Sequence, residues 1–461
     1  MKRKVFLKVK SVIKYILIFA ALIACYNGLL YGVCKIPSSM LKATTEKSGE
    51  ILNGQGKLYY FSYYVFNDNE TDALMVNNAY SIDSEKPFDS YMWVRKNYNP
   101  MITKEIQNEP VGDLISYDKQ DKVAAAEDYN TPEELVAFLN GNITHSITYQ
   151  RYWHGYLVVL RLLLLVFNVT ELRVVRLLIL GAVLLYLLKL LKKNFGIKAV
   201  LGMLAIFIMY EFYSIPASLA SFPVTLITML FLIFLLRKMG KPGKAIHLEK
   251  LYKYFFIVGS LVNFVDFLSI PLISLGLPLL IILMKYNETQ RQNNARINPK
   301  KCIKFVIAAS LIWGAGYALT WAAKWIIFMI YTNQFDFSQI IGQIGYRMAG
   351  PMSAGNIGEN LGRIYWFVVI IAAIAFTFSA LRYRKVKTLR EIVNDNLAIV
   401  VVALFPVIWT IALLNHTAYH WFFTYRISMI TSFASIIVSI YMFQPRKKKK
   451  KKYKPEKLRI I

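Results

Sequence analysis

The stretch VIKYILIFAALIACYNGLLYGV, Val12 to Val33, decides the fold. A helix needs about 20 apolar residues to cross the hydrocarbon layer, and this run supplies them. It follows the basic leader MKRKVFLKVK. A secretory signal would carry a shorter apolar region and a small-residue cleavage site, and YNGLLYGVCKIP offers none. The reading is an uncleaved first membrane helix with its N-terminus in the cytoplasm.

Further apolar runs lie near 172–191, 197–213, 217–236, 252–270, 272–285, 303–330, 364–382, 397–414 and 426–443. The fold class expected is an all-α polytopic membrane protein with about ten transmembrane helices. The composition agrees: 56% of the 461 residues are hydrophobic. The pair of runs around Pro271 and Pro278 is the weakest, and reads equally as one re-entrant hairpin. The formal net charge is +28, but its placement excludes nucleic acid as the partner. The positive charge sits in short blocks between apolar runs, such as KLLKKNFGIK, RKMGKPGKAIHLEKLYK and RYRKVKTLR, and in the tail RKKKKKKYKPEKLR. With an even number of spans, these blocks and both termini fall on the cytoplasmic side of the cell membrane, as the positive-inside rule requires. Three scattered cysteines, Cys25, Cys34 and Cys302, make neither a disulfide framework nor a zinc site.

This topology divides the chain into four parts. Residues 1–34 are a cytoplasmic segment and the first helix, and 35–155 a large extracytoplasmic loop. Residues 156–444 are the multi-helix membrane domain, and 445–461 a basic cytoplasmic tail suited to anionic lipid. The loop reads as a mixed α/β unit. LYYFSYYVF is aromatic and β-prone, and TPEELVAFLNG is a helix with Thr131 as cap, Glu134 closing a capping box and Gly141 past its end.

Three clusters carry candidate chemistry. The first, NDNETDALMVNNAYSID, places Asp68, Glu70 and Asp72 within five residues. If the segment is extended, all three side chains face one way. If a helix starts near Thr71, Asp72 falls in its first turn with Thr71 as the cap, and its loss would cost about 0.3–1 kcal/mol of dipole energy. The acidic cluster leaves a divalent metal open, and no other cofactor is indicated. The second, YQRYWHGYLVVLRLLLLVFN, holds Arg151, His154 and Arg161. It reads as an interfacial amphipathic helix whose arginine reaches lipid headgroups. The third, NHTAYHWFFTYR, puts His416 and His420 four apart and ends on Arg426, a residue suited to phosphate. Asp266 and Lys324 lie inside apolar runs, where ionisable residues are functional candidates. No P-loop or dinucleotide fingerprint is present, so ATP or a nucleotide sugar has no obvious cytosolic site.

The layout resembles the GT-C superfamily of glycosyltransferases that use polyprenyl-phosphate sugars: a first helix entering from the cytoplasm, a large acidic first loop, then many helices. The runs ETDALMVNNAYSID, YQRYWHGYLVVLRLLL, WGAGYALTWAAKWII and NHTAYHWFFTYR also resemble membrane proteins of Gram-positive surface-polysaccharide synthesis. The resemblance implies transfer of a sugar from a polyprenyl-phosphate donor to a glycan or lipid-linked acceptor, with inversion. It implies Asp72 as base, with Asp68 and Glu70 in support, and Arg151, His154, Lys324, His416, His420 and Arg426 as substrate or phosphate ligands. Asp72 lies farther along the chain than the family's acidic motif usually does. Two rival readings are a flippase for a lipid-linked saccharide and a non-catalytic assembly protein.

Overall fold

The computed structural model describes residues 2–62, 65–98, 130–142, 145–240, 246–293, 295–335, 337–349 and 389–441. The expected run at 364–382 and the basic tail lie outside the described residues. Within them the chain is mostly helical, and six helical stretches are long and apolar enough to cross a membrane. These are Val12–Cys34, Val169–Phe195, Ser221–Lys238, Pro299–Thr332, Val393–Ala412 and Trp421–Ser439.

Three of the expected spans are not among these six, two because the helix breaks and one because its second half is polar. The run at 197–213 gives a helix of 13 residues, Ile197–Met209, about 20 Å long at 1.5 Å per residue. It stops because Glu211 turns left-handed at φ 54° and a 3₁₀ segment, Phe212–Ala217, follows. The run at 252–270 gives 14 helical residues, Tyr252–Val265, and stops at extended Asp266. The run at 272–285 becomes one continuous helix, Ile273–Gln292, which passes through Pro278. No hairpin forms there, and the polar second half, KYNETQRQ, keeps its mean hydropathy low.

The helices in chain order are α1 (Lys2–Cys34), α2 (Lys42–Gln55), α3 (Asn69–Tyr80), α4 (Pro87–Trp93), α5 (Thr131–Leu139), α6 (Leu157–Leu164), α7 (Val169–Phe195), α8 (Ile197–Met209) and α9 (Ser221–Lys238). They continue with α10 (Tyr252–Val265), α11 (Ile273–Gln292), α12 (Pro299–Thr332), α13 (Ser338–Ala349), α14 (Leu389–Ala403), α15 (Phe405–Ala412), α16 (Leu414–Tyr419), α17 (Trp421–Thr424) and α18 (Met429–Tyr441). Helix α11 is the axis of the bundle: nearly every residue from Ile273 to Asn287 is buried. Helices α9, α14 and α18 pack around it. The tightest pair is α10 with α12, where a Cβ on Gly259 would run into the carbonyl of Trp313 and one on Gly316 into that of Phe256. Small residues let membrane helices approach to backbone contact in this way.

The described residues between 35 and 155 carry both helices and short strands. The aromatic run makes β1 (Leu58–Ser62), antiparallel to β2 (Val65–Asp68), and β3 (Arg95–Tyr98) pairs with β4 (His145–Thr148). Helix α3 lies at the centre of this unit, against α2, α5, α6 and β3. Its cap is Asp68, whose carboxylate accepts from the Thr71 amide, so the helix begins before the expected Thr71 cap. Helix α5 is likewise capped by Asn130, not by Thr131. Glu134 does not close a capping box; its carboxylate lies 2.5 Å from Lys96 Nζ on β3 and is fully buried.

Arg161 departs furthest from expectation. It does not reach headgroups. Its guanidinium is fully buried and donates to the carbonyls of Val33, Ile36 and Ala79. These carbonyls lie at the ends of α1 and α3, where helices leave acceptors unpaired and favour a cation. One arginine thus ties the first membrane helix to the polar unit. Trp153 adds a second tie, donating from Nε1 to the Thr320 carbonyl of α12 at 2.7 Å.

Candidate functional site

A cavity of about 90 Å³ opens where the polar unit meets the bundle. The β1–β2 hairpin and α3 bring Phe66, Asn67, Asp68 and Thr71 to its wall. The segment after β4 brings Tyr149 and Tyr152, and the 3₁₀ segment after Glu211 brings Ser214. The turn after α10 supplies Phe267 and Ser269, and α13 supplies Arg347. The broken region before α18 supplies His420, Phe422, Phe423 and Arg426. Among the described residues, five non-glycine residues have positive φ, and three of them adjoin this wall: His154, Glu211 and Leu268. Such conformations cost of order 1–3 kcal/mol each and gather at functional sites.

Of the three carboxylates in the first cluster, the cavity receives Asp68. Its side chain accepts from both the amide and the hydroxyl of Thr71. Burial pushes its pKa up to about 6, with the Thr71 hydrogen bonds opposing. A carboxyl with that value is ionised at neutral pH yet basic enough to take a proton.

Asp72, one turn later, does not line the cavity. It is fully buried. Oδ1 accepts from the Leu219 amide at 2.9 Å and Oδ2 from Asn67 Nδ2 at 3.0 Å. Arg173 lies 4.0 Å from Oδ2, and Arg176 offers a second positive charge. Burial raises the Asp72 pKa, and the two arginines oppose that rise. The carboxylate therefore clamps α3 to α7 and to the chain before α9. Glu70 also holds structure, accepting from the Thr131 amide at 2.8 Å and so fixing the start of α5.

The expected phosphate ligands separate in the same way. Arg426 and His420 line the cavity. Arg426 Nη2 donates to Ser214 Oγ at 2.9 Å and reaches Glu211 at 3.4 Å. Burial pushes the His420 pKa down to about 3, so the ring is neutral, and its Nδ1 is buried with no hydrogen-bond partner among the described residues. Lys324 is fully buried away from the cavity, donating to the Tyr91 and Met92 carbonyls at 2.9 and 3.0 Å. His154 is also enclosed: its ring nitrogens meet the Tyr149 carbonyl at 2.6 Å and the Tyr156 hydroxyl at 3.2 Å. Burial pushes its pKa down to about 3. Arg151 packs its guanidinium over the Tyr149 ring, 4.8 Å from the centroid. His416 sits behind the wall, beside Arg347.

Arg347 is the charged cavity residue that the sequence reading did not single out. It lies in the stretch QIGYRMA, on a helix of strongly one-sided apolarity. An arginine on the polar face of such a helix was the available signal. Its two terminal nitrogens donate to the Tyr152 hydroxyl and to His416 Nδ1. The wall thus presents two guanidiniums, one carboxylate and one neutral imidazole, with the hydroxyls of Ser214, Ser218, Ser221 and Ser269 between aromatic rings. Guanidiniums suit phosphate oxygens, and rings with hydroxyls suit a polyhydroxylated ligand. Among the described residues, no three His, Cys, Asp or Glu side chains converge as metal ligands. Comparison with family models, characterised proteins and solved structures finds no match for this chain.

Proposed function

We propose that this chain is a membrane glycosyltransferase of the GT-C kind, working at the extracytoplasmic face. It moves a sugar from a polyprenyl-phosphate donor to a glycan or lipid-linked acceptor. The observation that carries the reading is one cavity holding Asp68, Arg347, Arg426 and His420, at the junction of a polar unit and a bundle of apolar helices. In this reading Asp68 is the base, in place of Asp72. An acceptor hydroxyl attacks the anomeric carbon and forms the new C–O bond. The bond from that carbon to the phosphate oxygen breaks, and the acceptor proton passes to Asp68. The lipid phosphate leaves with its added negative charge, which Arg347 and Arg426 stabilise by charge-assisted hydrogen bonds. His420, neutral and with a free Nδ1, orients a sugar hydroxyl.

The flippase reading draws on Lys324 and Asp266 inside apolar runs and on the prolines at 271 and 278; α11 runs unbroken through Pro278, while Pro271 lies in the turn between α10 and α11. The test is transfer by the purified full chain from a panel of polyprenyl-phosphate hexoses to lipid-extracted envelope glycan. The reading expects lipid phosphate release with product formation, and an Arg426→Gln rate lower by about 100-fold, the scale of losing one preorganised charge contact. Unchanged turnover in Arg426→Gln, or movement of intact donor across vesicles without transfer, overturns it.

A further inference from the structure

Arg347 reaches the cavity on a helix end, and what aims it is His416. Arg347 Nη1 donates to His416 Nδ1 at 2.8 Å, and His416 Nε2 meets the Leu268 carbonyl at 2.9 Å. A carbonyl only accepts, so Nε2 carries the proton and Nδ1 is a bare lone pair facing the guanidinium. We infer that His416 is a positioning residue: its neutral Nε2–H tautomer holds Arg347 toward the cavity, and a second proton on His416 releases it. The inference rests on the reading of the cavity as a phosphate site.

The surroundings of His416 agree. Charge faces it from Arg347 on α13, and the His420 ring lies 4.8 Å away between centroids. Tyr152 holds the other terminal nitrogen of Arg347, and Asp266, behind Tyr152, is turned to Ser269. No carboxylate contacts the His416 ring among the described residues. Burial, then Arg347 and His420, hold its pKa well below the ordinary histidine value. Protonation would place two cations within hydrogen-bond distance, with a hydrogen between them that neither can accept. Leu268 itself sits at φ 67°, so the carbonyl that selects the tautomer belongs to a strained turn of the cavity wall.

The test uses the purified full chain and the probe methyl octyl phosphate, a diester whose single charge does not change between pH 4 and 8. Dimethyl phosphate separates recognition of a lipid-borne phosphate from that of the head alone. An Asp68→Asn background removes one group that titrates in this range; Asp266, also pushed up to about 6 by burial, titrates alike with and without His416. In that background, binding of methyl octyl phosphate should hold level through the ordinary histidine range and weaken by about tenfold only at more acid pH, because burial, Arg347 and His420 keep the His416 pKa well below that range; the loss is equivalent to one charge-assisted contact. Adding His416→Gln should leave binding flat across the range, because glutamine accepts from Arg347 but does not titrate. Tryptophan emission at each pH verifies that the fold persists. An acid loss as steep in His416→Gln as in its parent overturns the inference. The cavity reading fails separately: Arg347→Ala that binds both probes as well as its parent would remove the phosphate site itself.

Discussion

Asp68, the cap of α3, and Asp72, in its first turn, share a chemical type and do opposite things. Asp72 is enclosed by Asn67, the Leu219 amide and two arginines of α7. Asp68 caps the helix and faces a cavity with Arg347 and Arg426. Every hydrogen bond Asp72 makes joins it to another part of the fold, so it is a clamp. Among the described residues the Asp68 side chain is held by Thr71, within its own turn, and it also lines the cavity. The lesson is that a carboxylate's role follows from which element closes over it, and a local acidic motif does not specify that.

The contrast predicts stability effects of very different size. Asp72→Asn should be the most destabilising change, by about 3 kcal/mol, because it leaves Arg173 and Arg176 beside a neutral group in a buried site. Denaturant unfolding in detergent measures it, and a loss under about 1 kcal/mol, the helix-dipole scale, would return Asp72 to a surface role. Glu134→Gln should come next, at about 2–3 kcal/mol, because Lys96 keeps its charge and loses its counter-ion. Lys96→Met combined with Glu134→Leu should recover most of that loss.

Acid should act through the enclosed histidines. His154 titrates near pH 3 in the fold and near the ordinary 6.5 when unfolded. The unfolded chain therefore binds the extra proton first. Stability from this group is complete above about pH 6.5 and is lost as pH falls toward 3. Melting temperature against pH should show that slope, and His154→Gln should flatten it. The smallest effect belongs to Asp68→Asn, which keeps a competent cap and should shift stability by under about 0.5 kcal/mol. Because burial raises the Asp68 pKa, its contribution runs the other way. It is most favourable below the unfolded value and falls as pH rises through about 6.

Much of the frame was legible in the chain. The apolar length of Val12–Cys34 specifies a span, and the aromatic run at 58–66 becomes a hairpin strand pair. Gly141 takes its left-handed turn past α5, as its position implied. The division of labour within α3 was not legible. It depends on the helix starting at Asn69, one turn before Thr71 could cap it, and on Leu219 and Arg176, which are remote in sequence. Arg161 and Lys324 misled for one reason: carbonyl oxygens at helix ends satisfy a buried cation, and a sequence does not reveal which ends converge. Arg347 passed unnoticed because its partners, Tyr152 and His416, come from segments far apart in the chain.

The central claim is that the reacting carboxylate is Asp68 and the holding one is Asp72. Its most direct test is turnover of Asp68→Asn with a polyprenyl-phosphate hexose, read beside the unfolding free energy of the same protein and followed from pH 5 to 8. The account predicts a fold as stable as the parent, a rate lower by about 100-fold or more, and loss of the limb that rises through about pH 6 in the parent. A folded Asp68→Asn protein that keeps the parent's rate and its pH limb would contradict it.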